Sequence, residues 1–125
     1  MEQKTDIYEK FSVLIKHPLY LGRMNAPDCA AVSKGVCGDE MEFYLVIKDR
    51  VIEDLKFFTS GCEATIACGE ITARLARGRS IESALDISPA KVQNILKALP
   101  SDHRHCAILA VTTLHRAIAD YLLQD

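Results

Sequence analysis

Three sulfur-bearing segments, far apart in the sequence, carry side chains that bind soft metals. In residues 35–39, the thiol of Cys37 and the carboxylate of Asp39 lie two positions apart in a glycine-rich stretch. The other two segments end in Cys62 and in the pair His105 and Cys106. Thiolate, carboxylate and imidazole are the groups that hold zinc and iron in proteins. We therefore expect the fold to bring these segments together.

Each of these residues also has an ordinary structural explanation. A free cysteine is most often a small buried hydrophobe, and an aspartate after glycine usually belongs to a turn. His105 alone is best explained as a surface residue of a helix, and its side chain and that of Cys106 would point about 100° apart on a regular helix. Taken together, however, the three cysteines with Asp39 and His105 beside two of them favour a metal site.

Helix ends add an independent reason. Cys62 and Cys106 are each predicted at, or within about one turn of, a helix N-terminus, where unpaired N–H groups and the helix dipole favour a thiolate. Cys68 follows Cys62 by six residues, which places it on a different helix face, so we interpret it as a core residue. Cys29 lies in a predicted loop and its role stays open.

Composition limits the classes of function. The chain has 125 residues, five cysteines and a formal net charge of -2. An odd, widely spaced set of cysteines without a Cys-x-x-Cys pair argues against a disulfide framework. The charge and the lack of a basic run argue against nucleic acid as a partner. We see no signal peptide and no membrane-spanning apolar run, so we expect a cytoplasmic protein without membrane contact.

The order of the elements predicts one α+β domain over residues 1–125. Residues 41–48 alternate apolar and polar side chains as a half-buried strand does, and residues 51–59 do so with a phase slip between Glu53 and Asp54 that suggests a bulge. From Cys62 onward the period is helical. We expect an N-terminal helix, an antiparallel sheet of two or three strands, and helices covering one sheet face. The remaining predicted elements are a helix over 6–16, a short strand over 30–36, a helix from Cys62 to Gly78, short helices capped by Ser80 and Ser88, and a last helix after Pro100.

The motifs occur in an order that resembles a known family. Cys37-Gly38-Asp39-Glu40-Met41, an alternating hairpin, Phe57-Phe58-Thr59-Ser60-Gly61-Cys62, Leu99-Pro100 and His105-Cys106 follow one another as in the IscU/NifU family of iron–sulfur cluster scaffolds. Each motif is short, but their order and spacing cover nearly the whole chain. The insertion before the last cysteine that marks the related SufU group is missing here.

The resemblance implies a non-enzymatic scaffold for a transient [2Fe-2S] cluster. By it, Cys37, Cys62 and Cys106 are the cluster thiolates and Asp39 or His105 supplies the remaining ligand. It also implies iron or zinc at the same residues, sulfur from a cysteine desulfurase, and transfer to apo iron–sulfur acceptor proteins. We assign sulfur entry to Cys106 in preference to Cys37, because of the predicted helix start and the neighbouring His105.

One departure from the family bears on partners. Leu99-Pro100-Ser101-Asp102-His103 stands where family members carry Leu-Pro-Pro-Val-Lys, so the resemblance does not extend to a handover by a DnaK-like chaperone. Two other classes of function use similar ligands. They are a structural or metal-sensing zinc module and, with less support, a zinc hydrolase, for which Glu40 and Glu63 are the adjacent candidate bases.

Overall fold

A computed structural model describes residues 14–97 and 103–124. It contains three strands and four helices in these ranges, after a short helical stretch at residues 14–16. Most of the predicted N-terminal helix lies outside the described residues. The strands are β1 (Cys29–Lys34), β2 (Glu40–Lys48) and β3 (Val51–Phe58). The helices are α1 (Glu63–Ala76), α2 (Ile81–Leu85), α3 (Pro89–Ile95) and α4 (Arg104–Leu122).

The sheet is antiparallel and has β2 in the middle. Its apolar residues Met41, Phe43, Leu45 and Ile47 are buried, and the residues between them are less so, which confirms the predicted alternation. The first strand runs over Cys29–Lys34 and not over 30–36, because Val36 lies in the following turn and is 91% exposed. The α+β class with an antiparallel sheet is confirmed.

The predicted bulge is present in β3. Val46 pairs with Asp54 and Ile47 with Ile52, so Glu53 is the extra residue on this strand. The extra residue returns Ile52 to the buried face, where it is fully buried together with Leu55. The phase slip in the sequence therefore marks a real change of register.

The helices close one side of the sheet. Helix α4 packs on β1 and β2, while α1 packs on β3 and on α4. The predicted caps of the short helices are confirmed, since the side chains of Ser80 and Ser88 accept hydrogen bonds from the N–H groups of Ser83 and Lys91. Helical spacing predicts that Ile95 faces the core together with Val92 and Leu96, but Ile95 is 42% exposed. Leu99, Pro100 and the alternative caps of the last helix, Ser101 or Asp102, lie outside the described residues.

Helical spacing predicts that Glu70 lies with Glu63, Arg74 and Arg77 on a polar stripe of α1, and the structure corrects this for Glu70. Its side chain is fully buried and not on the solvent face. One carboxylate oxygen accepts the backbone N–H of Tyr20 at 3.0 Å, and the other accepts Nε of Arg74 at 2.7 Å. Because a buried carboxylate is costly unless it is paired and hydrogen-bonded, these two partners explain how Glu70 is accommodated in the core. Within the described ranges, no helix is long and apolar enough to cross a membrane.

Candidate metal centre

The turn between β1 and β2 presents the first two candidate ligands. The N–H of Gly35 donates to the carbonyl of Asp39 at 2.7 Å, and the N–H of Gly38 donates to the carbonyl of Gly35 at 3.0 Å. Gly38 has a φ of +92°, a conformation that side chains disfavour. Cys37 is exposed and Asp39 is half-buried. The glycine-rich stretch of residues 35–39 therefore forms a tight turn directly before β2.

The loop from β3 to α1 is tied to the same turn. The hydroxyl of Thr59 donates to the carbonyl of Glu40 at 2.6 Å and accepts the N–H of Gly61 at 3.0 Å. Asp39 lies directly against Gly61, since a Cβ there would be 2.6 Å from Asp39 Oδ2. Glycine at this position therefore permits the approach of the carboxylate to the start of α1.

Both helix-end predictions are confirmed. Cys62 is the N-cap residue of α1, and its side chain is exposed. Cys106 is the third residue of α4 and is 1% exposed. The two thiols thus share a position near a helix start but differ in their access to solvent.

The hydroxyl of Thr65 joins the three segments. Thr65 is fully buried in the first turn of α1. Its Oγ1 donates to Asp39 Oδ2 at 2.8 Å and lies 3.5 Å from both the Cys62 and Cys106 sulfur atoms. One side chain therefore contacts a carboxylate from the hairpin and thiols from two helices.

The same contacts separate the acidities of the two thiols. Burial acts to raise the pKa of Cys62, but the Thr65 hydroxyl and the backbone N–H groups of Thr65 and Ala64 outweigh it, so the pKa lies below the ordinary value. Burial raises the pKa of Cys106 more than the Thr65 hydrogen bond lowers it, and nearby Cys62, Cys37 and Asp39 add to the rise. The expectation of a low thiol pKa is met at Cys62 and is wrong for Cys106 in this conformation.

His105 lies beside this group of residues. It is half-buried, and its ring stacks on that of His103 with a centroid distance of 6.2 Å. It lines a groove of about 200 Å³ between the hairpin turn and α4, together with Val36 and Leu109. Across residues 14–97 and 103–124, no three His, Cys, Asp or Glu side chains are close enough to hold a metal ion. Asp39, Cys62 and Cys106 each contact Thr65, although in this arrangement they are not close enough to one another to hold a metal ion. Cys37 and His105 are their neighbours in sequence.

The family relationship follows from comparison with known proteins. Residues 6–125 match the model of the NifU-like N terminal domain. The chain belongs to this family. The NifU-like chain is 41% identical over 111 residues to iron–sulfur cluster assembly scaffold protein IscU 1 of Archaeoglobus fulgidus, covering 88% of this chain and 72% of that protein. It is 32% identical over 111 residues to IscU of Azotobacter vinelandii, covering 85% and 86%.

Solved structures agree on the fold. A NifU-like protein (N-terminal) from Brucella abortus superimposes on this NifU-like chain with a TM-score of 0.75 at 18% identity, covering 96% of this chain and 97% of that one. FiSufU from Fervidobacterium islandicum AW-1 gives a TM-score of 0.71 at 21% identity, covering 90% and 96%. At such identities the likeness establishes the architecture of this NifU-like chain and nothing about its ligands.

The two remaining cysteines of this NifU-like chain lie in the core. Cys68 is fully buried, as predicted, and burial raises its pKa. Cys29, which the sequence left undecided, begins β1 and is 3% exposed. Burial, with Asp120 and Asp28 adding to it, raises the pKa of Cys29 to about 12. Neither thiol has the properties of a reactive group.

Sequence reasoning overlooked Thr65 in this NifU-like chain. The available signal was its spacing, since residues three apart share a helix face and Thr65 follows Cys62 by three. That spacing indicates the contact with Cys62 alone. The contacts with Asp39 and Cys106 span 26 and 41 residues and depend on how the hairpin and α4 pack against α1.

Proposed function

We propose that this protein is a scaffold on which a labile [2Fe-2S] cluster is assembled and then transferred to apo iron–sulfur proteins. The observation that carries the proposal is the convergence of Asp39, Cys62 and Cys106 from three separate elements at one hydroxyl. The chain belongs to a family whose relatives are named cluster assembly scaffolds, which supports the interpretation of these converging residues as a cluster site. Members of this family are scaffolds rather than enzymes, and the cluster is their cargo.

The ligand set we propose is the three thiolates of Cys37, Cys62 and Cys106, completed by Asp39 or His105. Four thiolates suit a permanent iron–sulfur site, whereas an oxygen or nitrogen donor in one place weakens the soft-ligand field. A carrier needs that weakness because it has to release what it builds. Zinc, which binds cysteine, histidine and aspartate in tetrahedral sites, fits the same residues.

Sulfur delivery, in this proposal, comes from a cysteine desulfurase and enters at Cys106. The Cys106 thiolate attacks the outer sulfur of the donor persulfide, a new S–S bond forms on Cys106, and the donor cysteine leaves as a thiolate. Cys106 is only 1% exposed and burial raises its pKa, so the attack requires that docking of the desulfurase move the hairpin turn or the first turn of α4 and expose this thiol. All five cysteines are free thiols, which suits the reducing cytoplasm that we propose as the compartment.

Anaerobic reconstitution with ferrous iron, cysteine, a desulfurase and a dithiol reductant, which supplies the two electrons that convert each persulfide sulfur to sulfide, tests the proposal. We expect the purified protein to acquire equal amounts of iron and sulfide, with the visible absorption of a [2Fe-2S] cluster, and to lose both with Cys37→Ala, Cys62→Ala or Cys106→Ala. Removal of a thiolate ligand deprives the cluster of one iron–sulfur bond to the protein. Full iron and sulfide in the Cys62→Ala protein would contradict this ligand set.

Two buried cysteines outside the site provide matched controls. Cys29→Ala and Cys68→Ala remove thiols that are 3% and 0% exposed, and we expect both proteins to retain the cluster. A protein that binds stoichiometric zinc but never acquires sulfide from an active desulfurase would instead be a zinc module.

Mapping of persulfide on the metal-free protein by mass spectrometry identifies the cysteine at which sulfur enters. Label on Cys37 alone would overturn the assignment to Cys106.

A further inference from the structure

Thr65 forms hydrogen bonds that differ from those of other buried threonines in the helices. The hydroxyls of Thr72 and Thr113 donate to the carbonyls of Cys68 and Leu109, each four residues earlier and each at 2.7 Å. That is the usual arrangement of a helical threonine. The hydroxyl of Thr65 instead reaches side chains from three other positions, all of them candidate ligands.

We propose that Thr65 is a positioning residue of the metal centre, which orients the Asp39 carboxylate and holds it beside the thiols of Cys62 and Cys106. This inference rests on the proposed function, because it assumes that these residues bind metal. Thr65 itself is not assigned as a ligand.

The hydroxyl chemistry explains the orientation of Asp39. A threonine hydroxyl has one proton to donate and lone pairs with which to accept. Its short contact, 2.8 Å, is with Asp39 Oδ2, while the two sulfur atoms are 3.5 Å away. The proton therefore lies on the contact with Asp39 Oδ2 in this arrangement, and it reaches a sulfur atom only when the hydroxyl turns.

Burial and close packing make this contact specific. Thr65 is fully buried, and Gly61 leaves just enough room for Asp39 to lie between the helix start and the hairpin. A carboxylate held in place loses less side-chain entropy when it binds a metal than a free one does. Ligating carboxylates are themselves commonly hydrogen-bonded, and mutation of such outer partners typically costs about 10- to 100-fold in metal affinity.

Zinc affinity of matched threonine variants tests the inference. Zn²⁺ binding to the metal-free full chain would be measured by competition with a chromophoric chelator. We expect Thr65→Val, which keeps the branched shape and removes the hydroxyl, to bind Zn²⁺ about 10- to 100-fold more weakly than wild type. Thr65→Ser, which keeps the hydroxyl, should remain within about threefold of wild type. Thr72→Val, the control on the same helix, should bind Zn²⁺ as wild type does.

A double-mutant cycle identifies the group through which Thr65 acts. In an Asp39→Ala background, we expect the loss caused by Thr65→Val to shrink to about threefold or less, because the partner of the hydroxyl is gone. Urea unfolding of each variant separates loss of folding from loss of metal. If Thr65→Val does not fold, Thr65→Ala, which also removes the hydroxyl, replaces it in both comparisons with the same expected loss.

The outcomes separate the two proposals. Wild-type affinity in Thr65→Val, an equal loss in Thr72→Val, or the same loss with and without Asp39 would each overturn the role of Thr65 and leave the scaffold proposal intact. A wild-type protein that neither binds Zn²⁺ nor acquires a cluster would contradict both.

Discussion

Cys62 and Cys68 lie on the same stretch of chain, six residues apart, and differ in every property that matters for chemistry. Cys62 caps α1, is exposed, and has a lowered pKa because a hydroxyl and two backbone N–H groups face its sulfur. Cys68 lies in the middle of α1, is fully buried, and has a raised pKa. Within this helix, position and exposure, and not residue type, separate an available thiol from an inert one. Cys106 shows that a helix start alone is not sufficient, since burial raises its pKa.

The same division applies to the neighbouring glycines. Gly61 lies at the site end of α1, which we define as residues 61–65, where a Cβ would be 2.6 Å from the Asp39 carboxylate. Gly69 lies in the core segment, residues 67–73, where a Cβ would be 2.5 Å from the ring of Phe57. Both positions exclude a side chain. Glycine at 61 allows the close approach of the candidate ligand Asp39, whereas glycine at 69 allows the packing of Phe57.

The largest contrast we expect is in alkylation of the metal-free protein. Cys62 should react with iodoacetamide at least about 100-fold faster than Cys68, because Cys68 reacts only when the fold opens. Site-resolved mass spectrometry over a time course measures both rates, and the contrast should vanish in urea. Comparable rates in the folded protein would show that α1 does not protect its core segment.

The pH dependence sharpens this contrast. The thiolate fraction rises with pH and levels off once the pH exceeds the pKa. Since the pKa of Cys62 is lowered, its alkylation rate should level off below the pH at which an ordinary thiol does. The pKa of Cys29 is raised to about 12, so the rate of any alkylation of Cys29 in the folded protein should still increase with pH where the rate for Cys62 has levelled off. If the pH profile of Cys62 has the midpoint of an ordinary thiol, its hydrogen bonds do not lower its pKa.

Gly69→Ala should affect folding and spare the site. The added Cβ would lie 2.5 Å and 2.6 Å from two ring carbons of Phe57, so we expect a loss of about 1–3 kcal/mol, partly offset by the better helix propensity of alanine. Urea unfolding measures the loss. The folded variant should bind Zn²⁺ as wild type does. An unchanged unfolding midpoint would mean that Phe57 and Met41 rearrange without cost.

Gly61→Ala should have the opposite result. The methyl group would push the Asp39 carboxylate away from Thr65, and we expect Zn²⁺ affinity to fall about tenfold. The free energy of unfolding should change by less than about 1 kcal/mol, because Gly61 lies in a partly exposed loop. A stability loss as large as that of Gly69→Ala would show that the site end of α1 contributes to stability as much as the core segment does.

The smallest effect concerns the lability of the cluster. We expect Asp39→Ala to hold its cluster longer and to transfer it to an apo-ferredoxin about two- to fivefold more slowly, since a hard oxygen donor is a poor partner for sulfide-bridged iron. Circular dichroism in the visible range follows transfer in both proteins. Equal or faster release from the variant would place the source of lability elsewhere.

The sequence by itself determined the elements and the positions of most candidate ligands. Alternation fixed which side chains of β2 face the core, the phase slip located the bulge at Glu53, and serine caps located the starts of α2 and α3. These features were predictable because they depend on the period of a strand or helix and on hydrogen bonds within a few residues. For the same reason, Cys62 and Cys106 could be assigned to helix starts.

Only the tertiary structure decided how those residues meet. The burial of Glu70 depends on Tyr20, 50 residues away, and the role of Thr65 depends on Asp39 and Cys106. The pKa of Cys106 is raised although a helix start favours thiolate, because packing of α4 leaves this residue only 1% exposed. Local spacing carries no information about which distant side chain supplies a hydrogen bond or removes water, and those two effects set the chemistry of this site.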